Sequence, residues 1–130
     1  MEYLKKEEIF FERDTNGELI PVDVILETLP NKPTVSVTPL TKGELSKIVK
    51  QSKGTETDTD TDIDVVIAHC KNPVFKEDDR ISLKAAGKSL MITAIAIAIF
   101  SISVGTSQSE LVNEGRKKIV EKELENFRTQ

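Results

Sequence analysis

The chain has no tryptophan, a single cysteine and a single histidine, and aromatic residues fill only 5% of its 130 positions. Each shortage closes off a class of explanation. Cys70 has no partner for an internal disulfide, which fits a reducing compartment. One Cys and one His leave a zinc site two ligands short, to be recruited from carboxylates or another subunit. A thiol nucleophile at Cys70 needs His69 as its base. Neighbours on a helix point about 100° apart, so the two form no natural dyad, and Cys70 is expected to pack on an apolar face. A hydroxyl-based triad depends on His69 alone, and no spacing of Ser, His and acid points to one. Gly43, Gly54, Gly87, Gly105 and Gly115 stand isolated; they read as punctuation or points of close packing rather than as a phosphate loop. The expectation is a protein that is not an enzyme, with no catalytic, cofactor-binding or metal-ligating residue and no cofactor.

Long hydrophobic runs are few. The opening MEYLKKEEIFFERD holds no apolar stretch of signal-peptide length. Leu90 to Val104 is apolar except for Thr93, Ser101 and Ser103. As a helix it reaches about 22 Å, short of a hydrocarbon core of about 30 Å. Lys84 and Lys88 bound it on one side, and Gly105 and a polar run on the other. A helix buried in the core or by a partner is expected, and no membrane association. The net charge of −4 and the pI near 5.1 give no general attraction to nucleic-acid phosphates, so no nucleic-acid partner is expected.

The length suits one domain, residues 1–130, whose core must come from Ile, Val, Leu and Ala. Residues 1–40 look β-rich. Thr15-Asn16-Gly17-Glu18 carries the Asn-Gly signal of a type I′ hairpin turn. Val22, Val24 and Leu26 recur at period two, as in a half-buried strand. Pro30 and Pro33 bracket a turn before a short strand with Val35 and Val37 on one face. Thr41 and Glu44 have capping-box spacing and open a helix over 41–54 with the apolar stripe Leu45, Ile48 and Val49. Residues 55–62, apolar nowhere, are expected to be a mobile acidic loop. The alternating Asp58, Asp60, Asp62 and Asp64 suggest a calcium loop only superficially, because Ile63 and His69 stand where an EF-hand needs Gly and Glu.

The helical part follows over 63–130. A short helix carries Ile63, Val66, Ile67 and Cys70, and Asn72-Pro73 ends it. The longest helix starts near Glu77-Asp78-Asp79, bears the basic stripe Arg80, Lys84 and Lys88, and runs on through Ile92, Ile95, Ile99 and Ile102. Its Ile/Ala alternation also fits a doubly buried strand, but alanine and the upstream charge spacing favour helix. Thr106 or Ser107 caps a last amphipathic helix with Leu111, Val112, Ile119, Val120, Leu124 and Phe127. The fold class expected is α+β: a small N-terminal antiparallel sheet or hairpin, then three to four helices.

Two stretches carry a family resemblance: VSVTPLTKGELSKI, from Val35 to Ile48, and DIDVVIAHCKNPVFKEDDRISLKAAGKSLMITAIAIAIFSIS, from Asp62 to Ser103. Together they resemble tail assembly chaperones of long-tailed phages and related proviruses. Pro39, Leu40 and Thr41 match the family's strand-to-helix junction. Asn72, Pro73, Phe75, Glu77, Asp78 and Asp79 match its Asn-Pro-x-Phe turn with acidic residues, followed by an apolar helix. These are turns and caps, not catalytic signatures, and the acidic Thr/Asp run lies outside the match. The resemblance implies a non-catalytic protein that binds the tape measure protein, with the tail tube protein and a second copy of itself as further partners. It implies work in the host cytoplasm during viral assembly and absence from the finished virion. Ile92, Ile95, Ile99, Ile102, Leu111, Ile119, Leu124 and Phe127 are the candidate surface for a partner or for self-association. A head–tail joining or tail-completion protein is the alternative.

Overall fold

The computed structural model describes residues 2–5, 10–51 and 59–114. It has the α+β architecture: a three-stranded antiparallel sheet with helices packed against one face. Strand β1 (Val22–Ile25) pairs with β2 (Thr34–Val37), Val22 opposite Val37 and Ile25 opposite Thr34. Val22, Val24, Val35 and Val37 face the core, so the period-two pattern holds. The third strand, β3 (Cys70–Asn72), adds to the other side of β2 from beyond two helices. It is absent from the sequence reading because three residues, two of them polar, carry no periodic signal. Cys70 is thus a buried strand residue paired with Val37, not part of a helix.

The turn before β1 departs from the type I′ expectation. Gly17 takes a positive φ of 81°, while Lys32 is the one non-glycine that does so among the described residues. The carboxylate of Asp14 instead accepts from the N–H groups of Asn16 and Glu18, at 2.8 and 3.0 Å. That local bond offers the chain another way to turn.

Helix α1 (Lys42–Gln51) opens with the expected capping box. Glu44 N–H donates to Thr41 Oγ1 at 3.1 Å, and Thr41 N–H to Glu44 Oε1 at 3.0 Å. Helix α2 (Thr59–His69) begins inside the stretch expected to be a loop. Residues 55–58 of that expectation lie outside the described residues, but Asp60, Thr61 and Asp62 are helical. Two helical residues turn the chain by about 200°, so alternating aspartates part company. Asp60 and Asp64 face outward to Lys84 and Arg80, whereas Asp62 is buried and its Oδ2 accepts from Thr93 Oγ1 at 3.2 Å.

The long helix expected from residue 77 onward is divided. A single 3₁₀ turn (Glu77–Asp79) leads into α3 (Arg80–Ala86), the chain straightens at Gly87, and α4 (Ser89–Val104) follows. A methyl group on Gly87 would sit 2.4 Å from the Leu83 carbonyl oxygen and 2.8 Å from Ile92 Cδ1. Only glycine allows this approach.

Helix α4 is the centre of the molecule and packs chiefly on α2. Ile92 and every residue from Ala94 to Phe100 are buried, so the helix is apolar all round, as an interior helix must be. Its three polar interruptions each have a task. Thr93 holds Asp62. Ser103 accepts the Leu40 N–H at 2.8 Å and donates to the Ile99 carbonyl at 2.6 Å. Ser101 donates to the Thr106 carbonyl at 2.6 Å, closing the helix end where Gly105 takes a left-handed φ of 78°. Ser107 caps α5 (Gln108–Glu114), accepting from the Glu110 N–H at 3.2 Å. No helix among the described residues is long and apolar enough to cross a membrane.

Candidate functional site

The candidate surface read from the sequence separates into three groups. Ile99 is fully buried and Leu111 nearly so, and neither presents a face to a partner; Ile102 is half-buried against the core. This corrects the surface reading for Ile99 and Leu111, which the chain's own packing buries, and leaves Ile102 only partly accessible. Ile92 and Ile95 are also core residues, but they form the floor of an apolar groove. Ile119, Leu124 and Phe127 lie outside the described residues.

The groove has a volume of about 350 Å³. One wall is the β1–β2 connection, with Leu26, Leu29 and Pro33. Opposite stand Phe75, Leu83 and Gly87, and Met91 closes the α4 end. The β1–β2 turn is pinned by Leu26 N–H to the Pro33 carbonyl at 2.8 Å and Lys32 N–H to the Leu29 carbonyl at 3.1 Å. That turn drops Leu26 and Leu29 over α4. Gly87, without a side chain, lets the Leu83 carbonyl and the Ile92 side chain both close on it. Met91 is 46% exposed, and Val74 and Leu90, neighbours of groove residues, are 64% and 69% exposed. These walls are not legible in the sequence because they are assembled from four separate segments. An exposed Met at the head of an apolar helix was the available signal.

A second arrangement surrounds His69, at the last turn of α2. Its Nε2 lies 2.7 Å from Glu44 Oε2 and its Nδ1 3.1 Å from Thr38 Oγ1. The Thr38 N–H also donates to the His69 carbonyl at 2.9 Å. Burial works against the charged form of Glu44, but the Thr41 N–H, the His69 bond and the His69 charge outweigh it and hold its pKa below the ordinary value. The order hydroxyl, imidazole, carboxylate matches an acyl-transfer triad, and a cleft of about 300 Å³ adjoins His69 and Glu44. Thr38 does not line that cleft and is itself buried, so its hydroxyl meets no substrate there. The arrangement fastens β2, α1 and α2 to one another. Cys70, next in sequence, is buried away from it, and burial pushes its thiol pKa up.

The basic stripe is partly absorbed internally. Arg80 bonds both Asp64 and Glu77, which raises its pKa, and Lys84 pairs with Asp60 at 3.0 Å. Asp60 and Asp64, four apart on α2, thereby meet Lys84 and Arg80, four apart on α3, in antiparallel order. Lys88 lies beyond α3 and lines the groove. Among the described residues no three His, Cys, Asp or Glu side chains converge to hold a metal ion. Comparison with family models, with curated proteins and with solved structures gave no match.

Proposed function

We propose that this chain is a non-catalytic tail assembly chaperone that binds an apolar helical stretch of a tape measure protein and keeps it soluble while tail tube subunits polymerise around it. The observation that carries the reading is the groove between the β1–β2 turn, Phe75, Leu83 and Met91. It is walled by Leu, Pro, Phe and Met side chains and floored by Ile92 and Ile95. An amphipathic client helix presents side chains at i, i+3, i+4 and i+7, and an apolar trough of this kind accepts such a row. Exposed Val74 and Leu90 extend the apolar surface past the groove. The family resemblance supplies the client; the groove supplies a place for it.

The test is co-expression with the tape measure protein of the same viral genome, followed by pull-down and a solubility assay. Co-purification with rescued solubility is expected. Met91→Asp, on a side chain already half exposed, is expected to leave the protein folded and to cut recovery of the client roughly tenfold, a charge having been set in an apolar contact. Failure to bind, together with retention of the protein in purified virions, would replace this reading with a head–tail joining or tail-completion component.

A further inference from the structure

Among the described residues the sheet ends at β1, and one residue treats that side as a binding edge. In an antiparallel pair, alternate residues turn their N–H and C=O groups toward the neighbour and the rest turn them away. Leu26 N–H bonds the Pro33 carbonyl, so Val22, Val24 and Leu26 face β2, while Asp23, Ile25 and Glu27 point their backbone groups outward. Gln108, 4% exposed at the start of α5, meets two of these groups. Its Nε2 donates to the Ile25 carbonyl at 2.7 Å, and its Oε1 accepts from the Glu27 N–H at 3.2 Å. A side-chain amide thus makes the two bonds that a backbone amide of a fourth strand would make. Among the described residues nothing else bonds the outer edge of β1, which leaves the Asp23 N–H and C=O and the Ile25 N–H uncovered.

We infer that the β1 edge is a strand-addition site for an extended, basic segment of another protein, latched in this state by Gln108. The chemistry of the edge selects the occupant. From Leu19 to Asn31 the chain carries Asp23 and Glu27 and no Lys or Arg. Both acids are exposed, and Ile25 between them is 52% exposed. A strand laid beside them gains from basic side chains on the outer face and apolar ones toward the core, since directly opposed opposite charges stabilise a sheet and like charges destabilise it. A second copy pairing β1 with β1 would bring acids together. The latch also keeps the edge from pairing indiscriminately, a standing hazard of open strands. The site is separate from the apolar groove and does not depend on it.

The probe is an acetylated, amidated nine-residue peptide of alternating lysine and valine, titrated against the full chain by fluorescence anisotropy at low salt. Binding is expected. A copy N-methylated at its lysines, which removes the donors aimed at Asp23 and Ile25, is expected to bind at least tenfold more weakly. Gln108→Met, which keeps the bulk and removes both bonds, is expected to bind the unmodified peptide roughly tenfold more tightly. Amide exchange at Asp23 and Ile25 in the unsubstituted protein is expected to slow on adding peptide, a readout that stands whether or not the variant folds. Equal binding of the methylated copy, or no slowing at these two amides, would overturn the proposal. Dimerisation of Gln108→Met with protection at the same amides would assign the edge to a second copy instead and overturn the stated occupant.

Discussion

Glu44 is held by two bonds that draw on its proton equilibrium from the same side, one from the Thr41 N–H and one from His69. Its pKa in the folded chain lies below the ordinary value of 4.5. The stabilisation it lends is therefore fully present above about pH 5 and is lost as pH falls through the lower folded value. Its partial exposure keeps the electrostatic share small. Glu44→Gln is expected to cost about 1 kcal/mol at neutral pH, with the gap closing toward pH 3; urea unfolding of both proteins across that range checks it. Cys70 has the opposite tendency. Its thiol is buried and its pKa raised, so maleimide labelling of the folded protein is expected to run at least roughly a hundredfold slower than in urea, followed by mass spectrometry. The Thr41–Glu44 cap was legible in the sequence because it spans four residues. The second bond of Glu44 was not, because His69 lies 25 residues away and no local pattern announces it.

Among the elements, Gly87 has the largest effect per atom. Without it the helical signal from Arg80 through Lys88 into Ile92 reads as one rod. At the break the Leu83 carbonyl and the Ile92 side chain both stand where a side chain on residue 87 would begin. Gly87→Ala is expected to destabilise the protein by about 1–3 kcal/mol through forced displacement of that backbone, read as a lower urea midpoint with an unchanged slope. Helix α2 shows the converse failure. Its first turn is so acidic that composition alone reads as loop. Charge matching across two helices is what orders it, Asp60 and Asp64 meeting Lys84 and Arg80. Strands β1 and β2 and the caps of α1 and α5 were legible because period two and Thr/Ser capping are local codes.

At the scale of the whole molecule, α4 divides the apolar stripe into a part that is indispensable and a part that lines a groove. Ile99→Asp sets a charge at a fully buried position and is expected to cost more than roughly 4 kcal/mol, abolishing the cooperative transition seen by circular dichroism, whereas Met91→Asp preserves it. The α+β class and the central apolar helix were legible; the groove was not, since its walls come from the β1–β2 turn, Phe75, Leu83 and Met91 and converge only in the folded chain. Strand β3 reaches β2 from beyond α1 and α2, and Leu40 waits for Ser103, 63 residues downstream. During synthesis the N-terminal strands leave the ribosome first, yet α4, the centre of the core they share, follows only after α1, α2 and α3. Until then Val24, Val35 and Val37 stand uncovered, and closure over so long a span is slow. A protein proposed to shelter another chain's apolar helices thus passes, each time it is made, through an interval in which its own need shelter.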